Sequence, residues 1–76
     1  SPSRLELELT ERAAMRASCL GLLGRKDEGR LEVARLLASK PDFATRGRVL
    51  LGHYVKSPEV MERIVHGLSQ AGLTLD

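Results

Sequence analysis

Residues 19–41 constrain the fold most strongly, because they combine a helix end, a short charged turn and a second amphipathic helix. Gly24 can adopt the left-handed conformation that commonly ends a helix. Pro41 pushes the residue before it out of helical geometry, so a helix should stop there. Between these two points apolar residues recur at helical spacing: Leu31, Val33, Ala34, Leu36 and Leu37. The stretch therefore predicts a helical hairpin.

The rest of the chain favours the same fold class. Phe43 and Tyr54 are the only aromatic residues among 76, and a core of aliphatic side chains suits helix-on-helix packing. A chain of this length makes one domain at most. We predict a single all-α domain over residues 1–76 with about four helices: a hairpin at 3–41 and two helices at 42–76 that cap it.

The first helix is predicted over residues 3–23, although its start also shows a strand-like alternation at Leu5, Leu7 and Leu9. The helical interpretation accounts for more residues, since an apolar row continues to Leu20. A further apolar row predicts that this helix is covered on more than one side: Met15, Cys19 and Leu22. Small residues are expected where it crosses the second helix: Gly21, Gly24, Gly29 and Ala34.

Short polar residues are predicted to cap the N-termini of the four helices. In chain order these residues are Ser3, Asp27, Thr45 and Ser57. Pro58 suits the first position of the last helix, where its missing N–H costs nothing. That helix carries an apolar stripe and should end at Gly72 in left-handed conformation; its members are Met61, Ile64, Val65 and Leu68.

Motifs in both halves of the chain carry a resemblance to known families. The run LGRKDEG at residues 23–29 is flanked by amphipathic helices and closed by Pro41, and in this the hairpin resembles a tetratricopeptide repeat unit. Ala13 and Val33 stand where that repeat has aromatics. The second half, with PDFAT at 41–45, YVKSPE at 54–59 and GLSQAGL at 67–73, is similar to the C-terminal tail of bacterial class III adenylate/guanylate cyclase homologues. The same tail occurs on some winged-helix regulators.

The resemblance covers about residues 10–75 and implies a role without catalysis. It predicts the C-terminal repeat and cap of a larger bacterial signalling protein, whose parent chain carries any cyclase activity. The chain begins at Ser1 without methionine, which fits a fragment of a longer protein. The single cysteine favours a reducing, cytoplasmic setting, and no apolar run approaches the length of a membrane helix.

The resemblance and the apolar circumference of the first helix together suggest a protein-interaction surface. The candidate interaction face runs along one side of that helix and consists of Glu11, Ala14, Ser18 and Leu22. Its expected partners are preceding repeats of the parent protein, a second copy of the chain in a homo-oligomer, or a partner helix.

A nucleic-acid-binding helix-turn-helix formed by the third and fourth helices is the alternative. It is suggested by a basic middle segment with a charge of +2 over residues 42–56, within a net charge of +2 for the whole chain. The cations that would face phosphate are Arg46, Arg48, His53 and Lys56. Glu59 and Glu62 at the front of the would-be recognition helix disfavour this alternative.

No residue pattern predicts chemistry in this chain. His53 and His66 have no cysteine or acid at ligand spacing, so neither metal nor cofactor is expected. Cys19 lies on an apolar row, which favours a buried, inert thiol. Tyr54 is expected to pack, and the glycine-containing turns lack phosphate-loop spacing.

Overall fold

The computed structural model describes residues 3–75 and is all-helical over that range, which confirms the predicted fold class. The described residues form four helices, as expected from the sequence. They are α1 (Arg4–Leu22), α2 (Lys26–Ser39), α3 (Phe43–Leu51) and α4 (Pro58–Gln70).

Helix α1 is the centre of the fold, because it packs about equally against α2 and α4. Helix α3 makes far fewer helix-to-helix contacts. Helix α4 lies along α1 as a full partner of it, as α2 does. The core is aliphatic apart from one aromatic ring and consists of Ala14, Ala17, Val33, Leu36, Phe43, Leu50, Leu51, Ile64, Leu68, Ala71, Leu73 and Leu75.

Four of the predicted helix boundaries are confirmed by backbone geometry and hydrogen bonds. Ser3 Oγ accepts a hydrogen bond from the Glu6 N–H at 3.1 Å, and Ser57 Oγ accepts one from the Val60 N–H at 3.3 Å. Gly24 and Gly72 have φ values of +81° and +97°, which lie in the left-handed region that residues other than glycine rarely adopt.

The other two predicted caps are wrong. Helix α2 begins at Lys26 with Arg25 in the capping position and no side-chain cap, so Asp27 lies inside its first turn. There the carboxylate still favours the positive end of the helix dipole. Helix α3 begins at Phe43, before Thr45, whose hydroxyl donates a hydrogen bond to the Asp42 carbonyl at 3.0 Å.

The end of the described chain returns to the core. Leu73 and Leu75 are both buried beyond the end of α4. Leu75 lies against the face of α3 that carries Phe43 and Gly47, where a Cβ added to Gly47 would come within 2.8 Å of the leucine. The segment after α4 therefore supplies the packing that α3 does not obtain from the other helices.

Among residues 3–75, no helix combines the length and the apolarity that crossing a bilayer requires.

Candidate functional site

The candidate interaction face predicted on α1 is largely internal. Ala14 and Ser18 are buried, Glu11 is half-buried and Leu22 is 46% exposed. Ser18 Oγ donates a hydrogen bond of 2.9 Å to the Ile64 carbonyl of α4. The predicted partners of this row were other chains or preceding repeats, whereas the helix that covers Ala14 and Ser18 here is α4 of the same chain. While α4 is in place, no other protein reaches Ala14 or Ser18.

Two glycines set the distance between α1 and α4. A Cβ added to Gly21 would overlap the Gly67 carbonyl oxygen, and one added to Gly67 would overlap the Ser18 hydroxyl and lie 2.5 Å from the Ser18 carbonyl oxygen. The backbones thus approach each other directly, without side chains between them. Gly21 was expected at the crossing of α1 with α2; it lies instead at the crossing with α4.

Replacing Ser18 with alanine tests whether the inter-helix hydrogen bond stabilises this contact. The variant loses a buried bond, which we expect to lower the free energy of unfolding by about 1 kcal/mol. Urea denaturation followed by circular dichroism measures the change. Ser69→Ala on the exposed side of α4 is the control, and an equal effect at both positions would contradict the assignment.

The opposite side of α1 is open to solvent along its whole length. Leu5, Leu9 and Leu23 are 64%, 55% and 71% exposed. They share this side with two arginines and the cysteine, and we call the set the outer row: Leu5, Leu9, Arg12, Arg16, Cys19 and Leu23, all of them exposed. The expectation of a buried Cys19 is therefore wrong. The sequence pattern identified these leucines as apolar but did not show that they lie outside the core.

A surface cleft adjoins the outer row. It has a volume of about 200 Å³ and lies between the first half of α1 and the end of α2. Its lining is Glu6, Leu7, Leu9, Thr10, Ala13, Ser39 and Lys40. It extends the accessible apolar surface around Leu9.

The cations proposed for nucleic-acid binding differ in their surroundings. Arg48 forms an ion pair of 2.6 Å with Glu62 of α4, and the Lys56 ammonium donates a hydrogen bond of 2.7 Å to the Gly52 carbonyl. Arg46 and His53 are exposed. Half of the proposed phosphate-facing set thus makes contacts within the chain.

The Arg48–Glu62 pair perturbs both partners. The hydrogen bond from Arg48, and then its charge, lower the pKa of Glu62 below its ordinary value; the same contact raises the pKa of Arg48. Because the pKa of Glu62 is lower in the folded than in the unfolded chain, the pair favours folding at neutral pH. This contribution disappears as the pH falls through the folded-state pKa of Glu62.

Arg48→Gln should therefore return the pKa of Glu62 upward toward the ordinary glutamate value, since both the hydrogen bond and the charge are removed. Carboxyl carbon shifts of Glu62, followed by NMR across the acidic range, give the midpoint. Arg46→Gln is the matched control on the same helix and should leave the midpoint in place. An unchanged midpoint in Arg48→Gln would show that the pair does not form in solution.

No group of histidine, cysteine, aspartate and glutamate side chains within residues 3–75 is arranged to hold a metal ion. His53 and His66 are both exposed, as is Cys19. Tyr54 is 40% exposed in the turn that follows α3.

Searches against family models, curated proteins and solved structures found no significant match to this chain.

Proposed function

We propose that this chain is a non-catalytic protein-interaction module. The observation that carries the proposal is the outer row of α1, where three leucines remain more than half exposed although the same helix is covered by α2 and α4 on its other sides. Side chains of this size bury readily, and each contributes about 1.5–3 kcal/mol when removed from water. Leu5 and Leu9, together with the cleft beside Leu9, form an apolar patch at one end of the row, and exposed apolar patches of this kind mark protein-binding sites.

The proposal extends to the parent protein. The resemblance described above makes the chain the C-terminal tetratricopeptide repeat and cap of a bacterial signalling protein, an adenylate/guanylate cyclase homologue acting in the cytoplasm. The boundaries at Gly24, Pro41, Ser57 and Gly72 agree with a hairpin followed by further helices. In repeat arrays each unit buries its apolar face against a neighbour, so the preceding repeat is one partner to consider.

Sequencing the open reading frame upstream of Ser1 tests this parentage. We expect further helical-hairpin repeats directly before it, and a cyclase domain before those. If the frame encodes a winged helix before the repeats, the parent protein is a winged-helix regulator and not a cyclase homologue. A frame without repeats would remove the tetratricopeptide proposal altogether.

Sedimentation velocity tests the interaction role itself. The chain is measured alone and mixed with the segment that precedes it in the frame, over a range of concentrations. We expect a species in the mixture that is heavier than either component measured alone. A chain that remains monomeric in the mixture at every concentration would contradict assembly with its preceding repeats.

A further inference from the structure

The outer row follows the spacing of a helix that pairs with another helix. Its members are separated by alternating steps of four and three residues, the heptad spacing of coiled-coil seams, from Leu5 to Leu23. Leu23 keeps right-handed helical angles at the C-cap, so it continues the row beyond α1. At 1.5 Å per residue the row is about 27 Å long. Its length corresponds to nearly three heptads.

The distribution of charge along the row restricts what can cover it. The apolar residues lie at the two ends, Leu5 and Leu9 at one and Cys19 and Leu23 at the other, with Arg12 and Arg16 between them. Arg16 contacts Glu32 at 3.5 Å, but the same carboxylate also contacts Arg35 at 3.3 Å. One negative charge is therefore shared by two guanidinium groups. Glu8, four residues before Arg12, pairs with Arg4 at 3.6 Å, so Arg4, Arg12, Arg16 and Arg35 together exceed the neighbouring carboxylates of Glu8, Glu11 and Glu32 by one charge.

A second copy of the chain does not fit this pattern. Antiparallel pairing that matches the leucine ends would place Arg12 of one copy opposite Arg16 of the other, and parallel pairing would place each arginine opposite itself. Like charges at facing positions destabilise a helix pair. An anionic membrane fits poorly as well, because surface-binding helices keep their cations on the polar face, whereas here the arginines interrupt the apolar row.

We propose that the outer row is a docking surface for a helix of a partner protein that carries carboxylates at its centre and apolar side chains at both ends. The apolar ends would cover the exposed leucines, and the carboxylates would accept hydrogen bonds from Arg12 and Arg16. This inference rests on the proposed interaction function and names the surface and the chemistry of its partner. A single helix face is a small interface, of the size found in weak and transient complexes.

Two synthetic helices of about 21 residues, three heptads, test the charge pattern. Both carry leucine at the four outer seam positions; the first has glutamate at the two central positions and the second has lysine. Each is titrated into the isotope-labelled chain and followed by amide NMR shifts. We expect the glutamate helix to shift the outer-row amides and to bind about tenfold more tightly than the lysine helix.

Charge reversal on the domain provides the reciprocal measurement. Arg12 is exposed, so the Arg12→Glu variant should fold normally, as judged by circular dichroism. It should bind the lysine helix more tightly, relative to the glutamate helix, than the unchanged chain does. Arg46→Glu is the matched control on α3, with the same change of charge away from the row, and should retain the preference for the glutamate helix.

Equal binding of the two helices, an unchanged preference in Arg12→Glu, or shifts confined to residues outside the row would overturn the proposal. Anionic phosphatidylserine vesicles and duplex DNA are titrated in the same way. If either shifts the outer-row amides and the glutamate helix does not, the proposal is overturned in favour of that ligand. Failure of this surface is distinguishable from failure of the proposed function. A chain that binds its preceding repeats but not the glutamate helix keeps the function and loses the surface.

Discussion

Replacing Gly21 with alanine is expected to lower the free energy of unfolding by about 2–3 kcal/mol, although alanine favours a helix over glycine by about 1 kcal/mol. The new methyl group would overlap the Gly67 carbonyl oxygen and lie 3.0 Å from the Ala71 nitrogen. Both are backbone atoms, so relief requires α4 to move away from α1. That movement would also weaken the Ser18 hydrogen bond to Ile64.

Gly29→Ala is the matched control, because it makes the same chemical change in α2. Its methyl group would meet the Cβ of Ala71 at 2.9 Å and that of Leu20 at 3.5 Å. The Cβ of Ala71 is fixed to the backbone, so this contact also requires the chain to shift, but two methyl groups overlap less severely than a methyl group and the Gly67 carbonyl oxygen. Because the gain in helix propensity of up to about 1 kcal/mol offsets part of the cost, we expect Gly29→Ala to lower the free energy of unfolding by about 1 kcal/mol, less than Gly21→Ala.

Urea denaturation followed by circular dichroism compares the two variants. A domain of 76 residues has little stability to lose, so both variants should unfold at lower urea than the unchanged chain, and Gly21→Ala should have the lower midpoint of the two. Equal midpoints would mean that α1 and α4 are farther apart in solution than the structure places them.

The helix ends were predictable because their causes are local. Ser3 and Ser57 cap the turns that follow them, and Gly24 and Gly72 adopt conformations that favour glycine. Each depends on residues within a few positions in sequence. Asp27 was misplaced by this logic because any short polar residue near a helix start is a candidate cap, and backbone geometry selected Arg25 instead.

Which side of α1 is buried could not be predicted from local sequence in the same way. Hydrophobic spacing placed Leu5 and Leu9 on one apolar row with Ala17, yet the structure buries Ala17 and leaves both leucines more than half exposed. The buried side of α1 carries small residues instead: Ala14, Ala17, Ser18 and Gly21. Such residues allow close backbone approach, but the partner that approaches is 46 residues away along the chain, as the contact between Gly21 and Gly67 shows. No local pattern identifies α4 as that partner.

Removal of the one aromatic ring in the core is expected to have the largest effect of any single truncation. Phe43 is fully buried and is the largest of the fully buried side chains. Phe43→Ala should lower the free energy of unfolding by about 3–5 kcal/mol, the sum of lost burial and the cavity left behind. For so small a domain, this change is sufficient to leave a large unfolded fraction at room temperature.

Tyr54→Ala is the matched control, because it truncates the other aromatic residue, which is 40% exposed in the turn after α3. We expect it to cost less than about 1 kcal/mol. Thermal and urea denaturation measure both variants, and a Tyr54 effect as large as that of Phe43 would contradict the assigned core.

Amide hydrogen exchange in Phe43→Ala would also show how α3 is held. This helix makes few contacts with the other helices, and Phe43 lies beside Gly47 and the Leu75 side chain that returns from beyond α4. If these contacts anchor α3, its amides should exchange faster than those of α1 and α4 whenever the bundle remains folded. Uniform loss of protection across all four helices would show instead that α3 and the bundle unfold as one cooperative unit.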